Sequence, residues 1–396
     1  MTTCYTPQQL QVAYGVKPLL DRGINGRGQT IVLPELAQSA PSHATSDLRQ
    51  DLTLFDKAFG LPGARMRVVT RLAGAAAPWL ANGEEVLDAE MAHVIAPQAR
   101  IVIVLVKGTA LNNTPNAVAS AVAAIRLGMT EGGVISISAA GQVGGEHCVT
   151  RKQAASVHAA LKAVADHHVT VVAAAGDVGA VGEPCDLIKA LTGGTFTPVR
   201  EVTLPASDPL VLAAGGTSLH ASHKTGAYIS ETAWGLPFGD PGSAFQASGG
   251  GFSRIYARPG YQGGVAHTQA TRGVPDVSAD ASGHTGMAII ISENGQPFLR
   301  NSGGTSASAP IWAALIALAD QYAGRHLGFV NPAIYHIARS ARYHLAFHDI
   351  TIGNNTVRFP PKTIKGYRAA RGWDPVTGWG SPNANVLVPL LAHYDT

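Results

Sequence analysis

The chain has 396 residues, 46% of them hydrophobic and only 14% charged, where an ordinary globular domain carries roughly a quarter. Its 29 Lys and Arg against 26 Asp and Glu leave a net charge of +3 with no basic run, so a nucleic-acid surface is not expected. No run of about 18 apolar residues is free of charge, so no membrane partner is expected either.

The opening segment, MTTCYTPQQLQVAYGV, lacks the apolar centre of a signal peptide. Either a cytosolic chain or one whose leader has been removed fits it. The runs QTIVLPEL (29–36), RMRVVTRL (65–72), ARIVIVLV (99–106), GVISIS (133–138) and VTVVAAAG (169–176) are short and rich in β-branched residues. They predict strands buried on both faces. Between them EEVLDAEMAHVI (84–95), TPNAVASAVAAIRLG (114–128) and KQAASVHAALKAVADHH (152–168) predict helices. Alternating strand and helix predicts an α/β fold, a mostly parallel central sheet with helices on both faces. The Gly/Pro-rich segment 240–265 predicts a loop, residues 306–323 a helix, and the tail from 345 more loop. No repeat or charged linker divides the chain, so a single large domain is expected.

Three cysteines, Cys4, Cys148 and Cys185, are too few for a disulfide scaffold, and no CxxC pair supports a zinc ribbon. One disulfide, such as Cys148–Cys185, and three buried thiols both fit.

The stretch NSGGTSASAP (301–310) carries the first candidate chemistry. Ser306 follows a loop of small residues and opens an apolar helix. There its hydroxyl stands clear and the positive helix end faces any developing anion. A helix-capping serine fits the same segment. A nucleophile needs a base, yet no HGTH-like segment is present: SGHTG (282–286) and GEHCV (145–149) do not match it. The elbow GxSxG fails because position 308 is Ser, and no GxxxxGK[ST] loop exists. Carboxylates are the alternative. Glu84 and Asp88 stand four apart on one helix face, where an acidic first turn would also suit the dipole. Asp177 in AAAGDVGA (173–180) follows a strand end, where α/β folds bind ligands, although a Gly-Asp turn fits equally.

Together these segments resemble the sedolisin family, serine-carboxyl peptidases of subtilisin-like fold. GTSASAP (304–310), EEVLDAEMAHVIAPQARI (84–101), AAAGDVG (173–179), LPASDPLVLAAGGTSL (204–219), SGGGFSRIYARPGYQ (248–262) and RGVPDVSADA (272–281) carry the likeness. So do HDITIGNN (348–355) and GWDPVTGWG (372–380) near the C-terminus. The segment ISISAAG (135–141) departs from it, with Ala139 and Ala140 where the family often has Trp.

The resemblance implies Ser306 as nucleophile and Glu84 as general base. Asp88 would hold Glu84 through a shared proton, and Asp177 would donate to the oxyanion. It implies one structural Ca2+ in a region about 345–380. The ligands would be Asp349, Asp374 and the carbonyls of Ile350, Ala370 and Gly372, with Ala370 standing where the family commonly has Gly. The expected function is an acid-active endopeptidase on peptide or protein substrates, working as a monomer. A tripeptidyl exopeptidase and a catalytically silent peptide-binding homologue are the alternatives. Residues 1–396 would form one catalytic domain without a propeptide. The protein would act outside the cell after propeptide removal, or in the cytoplasm if no leader exists. Carboxylate chemistry would place maximal activity below about pH 5.

Overall fold

The computed structural model describes residues 4–37, 48–72, 83–107, 114–139, 142–186, 197–235, 246–293, 295–359 and 361–394. The strands used below are β1 (Thr30–Ala37), β2 (Arg65–Leu72), β3 (Arg100–Lys107), β4 (Val134–Ile137), β5 (Thr170–Ala174), β6 (Leu212–Ala221), β7 (Tyr228–Ala233), β8 (Gly251–Ala257), β9 (Thr271–Val274), β10 (Val277–Asp280), β11 (Met287–Glu293) and β12 (Gln296–Ser302). The helices used below are α1 (Glu84–Ile95), α2 (Thr114–Glu131), α3 (Arg151–Asp166), α4 (Thr305–Ala323) and α5 (Ala384–Ala392).

Among the described residues eight strands form the central sheet. Seven run in the order β10-β6-β5-β4-β1-β3-β2, and β7 pairs with β6. All pairings are parallel except β6–β7. Successive side chains of a strand point to opposite faces. Ile31, Leu33, Ile101 and Ile103 accordingly pack with α1 and α4 on one face. Val32, Val102 and Val104 pack with α2 and α3 on the other. The near-continuous apolar runs are therefore what a doubly covered sheet requires.

One of the five runs behaves differently. RMRVVTRL does form β2, but no residue in it is buried. It is the edge strand, paired only with β3. Arg65, Arg67 and Arg71 suit an edge by discouraging pairing with another chain. Of the segment 240–265 read as loop, residues 240–245 lie outside the described residues; within the rest, β8 forms and pairs antiparallel with β9. Gly249 and Gly250 serve close approach rather than turning, since a Cβ on them would lie 2.1 Å from the Ala175 and 2.3 Å from the Pro375 carbonyl oxygen, respectively. In the tail, α5 forms where loop is expected, and Ala384, Leu387, Val388 and Leu391 bury against the main core.

The segment RGVPDVSADA anchors the far side of the sheet. Arg272 and Asp276 are both fully buried and paired two-fold, at 2.9 Å (Nη1–Oδ1) and 2.6 Å (Nη2–Oδ2). Asp276 also accepts from the Ala213 N–H at 2.8 Å and the Tyr335 hydroxyl at 2.8 Å. Replacing Arg272 by Met would leave a buried charge without its cation. It should cost about 3–5 kcal/mol of unfolding free energy in a urea titration; a loss under about 1 kcal/mol would show the pair to be dispensable.

Candidate active site

The C-terminal ends of β1, β4 and β5 open onto one crevice, with β1 lying between β3 and β4 where the winding reverses. Such crevices are where open α/β sheets place ligands. The ends of these strands carry Glu35, Ser138 and Asp177. The N-termini of α1 and α4 bring Glu84 and Ser306 to the same place.

The glycines of NSGGTS have separate tasks. Gly304 caps α4 with φ +90°, in the left-handed region that favours glycine. A Cβ there would lie 2.7 Å from Asp177 Oδ2, and one on Gly303 would lie 2.5 Å from the Ala281 carbonyl oxygen. The helix behind Ser306 is buried from Ala307 to Asp320. Pro310 lies inside it and has no N–H to offer the carbonyl four residues back, which belongs to Ser306. The Ser138 hydroxyl donates to that carbonyl instead, at 3.2 Å. The end of β4 thus fixes the backbone of the serine.

Glu84 opens α1 behind Gly83, whose φ is +106°. The Ser306 hydroxyl donates to its carboxyl, and burial outweighs that bond, pushing Glu84 up to about 7. Asp88 lies one turn further in, fully buried. Burial comes first and the Glu84 charge second in raising it well above the ordinary carboxylate range. The carboxyl that Asp88 meets directly is Glu35, which burial and the Asp88 charge likewise raise. Two carboxyls bond only when one carries a proton, so the shared proton falls between Asp88 and Glu35. Between Asp88 and Glu84 the tie is electrostatic, because Glu84 turns toward Ser306.

Asp177 faces this group from the loop after β5. Its Oδ1 accepts from the Thr305 N–H at 2.8 Å and from the Thr305 hydroxyl at 2.7 Å. The Thr305 oxygen in turn accepts from the Gly176 N–H at 3.1 Å. Burial raises Asp177 despite these bonds. With Oδ1 occupied twice as an acceptor, a proton on Asp177 belongs on Oδ2, beside Gly304. The strand entering SGGG runs alongside, with the Ala247 N–H donating to the Asp177 carbonyl at 2.9 Å. A serine hydroxyl, a base bonded to it, and a protonatable group across from both can together perform acyl transfer.

Ser306, Glu84, Asp88 and Asp177 are thus brought together. Glu35 joins them; in the sequence it is a lone acid inside the apolar run TIVLPELA, where the resemblance implies at most a water-mediated link to the site. Ala139 is described, whereas Ala140 lies outside the described residues. Cys148 and Cys185 are bonded to each other and Cys4 is free, which decides between the two readings of the cysteines.

Asp349 and Asp374 converge on the turn at 370–372. The Gly372 N–H donates to Asp349 at 3.0 Å and the Ala370 N–H to Asp374 at 3.1 Å. Asp374 is fully buried, and burial pushes it up to about 7. Gly372 has φ +75°, but Ala370 is not among the positive-φ residues, so an alanine is tolerated there.

No family model matches the chain. Kumamolisin from Bacillus sp. (strain MN-32) is 32% identical over 403 residues, covering 98% of this chain and 64% of that protein. Tripeptidyl-peptidase sed1 from Aspergillus fumigatus is 32% identical over 258 residues, covering 56% of this chain and 35% of that protein. The chain therefore spans less than two thirds of either relative. The solved structure of Pseudomonas sedolisin, a serine-carboxyl proteinase complexed with two molecules of pseudo-iodotyrostatin, superposes with a TM-score of 0.77 at 26% identity over 98% of both chains. Matching along almost its whole length in both sequence and fold, the chain is similar to serine-carboxyl peptidases of the sedolisin family.

Proposed function

We propose that the protein is an acid-active serine-carboxyl endopeptidase. The observation that carries this reading is the Ser306 hydroxyl bonded to Glu84 at the head of a buried helix, with Asp177 facing them. Ser306 Oγ attacks the scissile carbonyl carbon as Glu84 takes its proton. The oxyanion accepts a hydrogen bond from protonated Asp177 Oδ2. Glu84 returns the proton to the leaving amine, and a water activated by Glu84 hydrolyses the acyl-enzyme. Asp88 and Glu35, sharing a proton, keep the charge behind Glu84 low. Release of peptides from denatured haemoglobin at pH 3–5 tests the reading. Wild type should release them and Ser306→Ala should not; equal release by both overturns it.

Tripeptidyl removal is the second reading, favoured by the name of the Aspergillus relative. Substrates with acetylated N-termini decide between them: an endopeptidase cleaves them as fast as free ones, while an exopeptidase does not. The Cys148–Cys185 bond suits an oxidising compartment.

The residues of the 349–374 region fit calcium. The donors are all oxygens, as a hard cation prefers. Asp349, Asp374 and the carbonyls of Ile350, Ala370 and Gly372 would hold the ion, whose double charge would offset the two carboxylates. Asp349→Ala should lose one bound calcium per chain by atomic emission. It should also remove the calcium-dependent part of the melting temperature. Equal metal content in variant and wild type would refute the site.

A further inference from the structure

Asp177 can act as an oxyanion donor only while its peptide plane is held. Gly176, with φ +106°, gives that plane little intrinsic restraint. The Asp177 carbonyl is held by the Ala247 N–H. Its N–H is held by Glu183, whose Oε1 accepts at 2.7 Å.

Glu183 is itself fixed from several sides. The Gly145 N–H donates to its carbonyl at 2.7 Å, and its own N–H donates to Thr203 Oγ1 at 3.1 Å. Two residues on, Cys185 is bonded to Cys148. A Cβ on Gly176 would lie 3.2 Å from both Glu183 Oε1 and Thr203 Oγ1, so the glycine lets the carboxyl close on Asp177. The side chain is buried, at 8% exposure. Among the described residues the charged neighbour acting on it is Asp177, with no cation beside it; burial first and Asp177 second push it up to about 7. In acid Glu183 is therefore neutral. It satisfies the Asp177 N–H without adding a negative charge next to the group that must keep its proton.

We propose that Glu183 is a positioning residue for the oxyanion donor, clamping the Asp177 backbone as a neutral carboxyl. The role rests on the reading of Asp177 given above.

The test is kcat and KM at pH 4 on an internally quenched peptide. Glu183→Ala should lower kcat by about 10–100-fold with KM within about two-fold, because a misplaced donor affects the transition state and not substrate binding. Glu183→Gln should keep kcat within about three-fold, since its amide oxygen accepts from the same N–H and it carries no charge. Thr203→Val, which frees the Glu183 N–H, should lower kcat several-fold at constant KM; it serves as the test if Glu183→Ala does not fold. Unchanged kcat in Glu183→Ala or Thr203→Val overturns the positioning role. So does a Gln variant as impaired as Ala. Asp177→Ala, measured alongside, should lose about 100-fold or more in kcat. If it does not, the oxyanion reading fails; if it does while Glu183→Ala is unaffected, only the clamp fails.

Discussion

Glu84→Gln is expected to reduce kcat by about 10³–10⁴-fold while leaving KM almost unchanged. The amide is the same size and its oxygen still accepts from the Ser306 hydroxyl, so the serine stays in place. What is lost is the acceptor for the proton. General-base removal has an effect of this order, and an interaction needed only at the transition state shows in kcat. Ser306→Ala should be at least as severe. The double variant should be no worse than Ser306→Ala alone, because a base without a nucleophile has nothing to activate. A Glu84→Gln enzyme within ten-fold of wild type would remove Glu84 from the base position. Asp88→Asn should cost less. Asp88 meets Glu35 and reaches Glu84 through charge, so an asparagine that bonds to Glu35 preserves most of the arrangement.

Turnover should be greatest below about pH 5 and fall by about 100-fold or more by pH 8. Asp177 must carry a proton to donate to the oxyanion. Burial raises it while the two Thr305 bonds lower it, and the donor is lost once the carboxyl ionises as pH rises. Glu84 must give up its proton to act as base. Burial first pushes Glu84 up to about 7, with the Ser306 bond working against that and the Asp177 charge adding to it, so the ionised base is the minor form in acid. The productive state is one in which the carboxyl cluster has lost a proton at Glu84 and kept one on Asp177. The two limbs of the profile of kcat/KM against pH therefore belong to the cluster and not to single residues. A maximum at or above pH 7 would contradict the mechanism.

Stability should move in the same direction. Glu84 and Glu183 have folded-state values raised to about 7 by burial. Their contribution is fully present below the ordinary carboxylate range and is lost as pH rises through about 7, where folding must bury a charge. The melting temperature of Ser306→Ala, which cannot digest itself, should accordingly fall between pH 5 and pH 8.

Local patterns made much of this molecule legible. Five apolar runs became five strands of one sheet, and four helical patterns became α1 to α4, because both depend on periodicity within a short window. The serine loop, the Glu84/Asp88 pair and Asp177 were also visible, as short segments with distinctive residue types. Other features depended on neighbours distant in sequence. β2 reads like its sister strands, and its exposure follows from lying at the sheet edge. The glycines of SGGG read as turn formers, and only the nearness of the Ala175 carbonyl shows their use.

The sequence by itself determined the α/β class, the order of strands and helices, and which serine and which acids stood at element ends. Tertiary structure decided what those groups are. It brought Glu84 to Ser306 and placed Glu35 against Asp88. It put Glu183 beneath Asp177 and closed Cys148 onto Cys185. The physical reason is that the acidity of a carboxyl depends on how much water it loses and which charges surround it. Both are set by chain segments far apart in sequence.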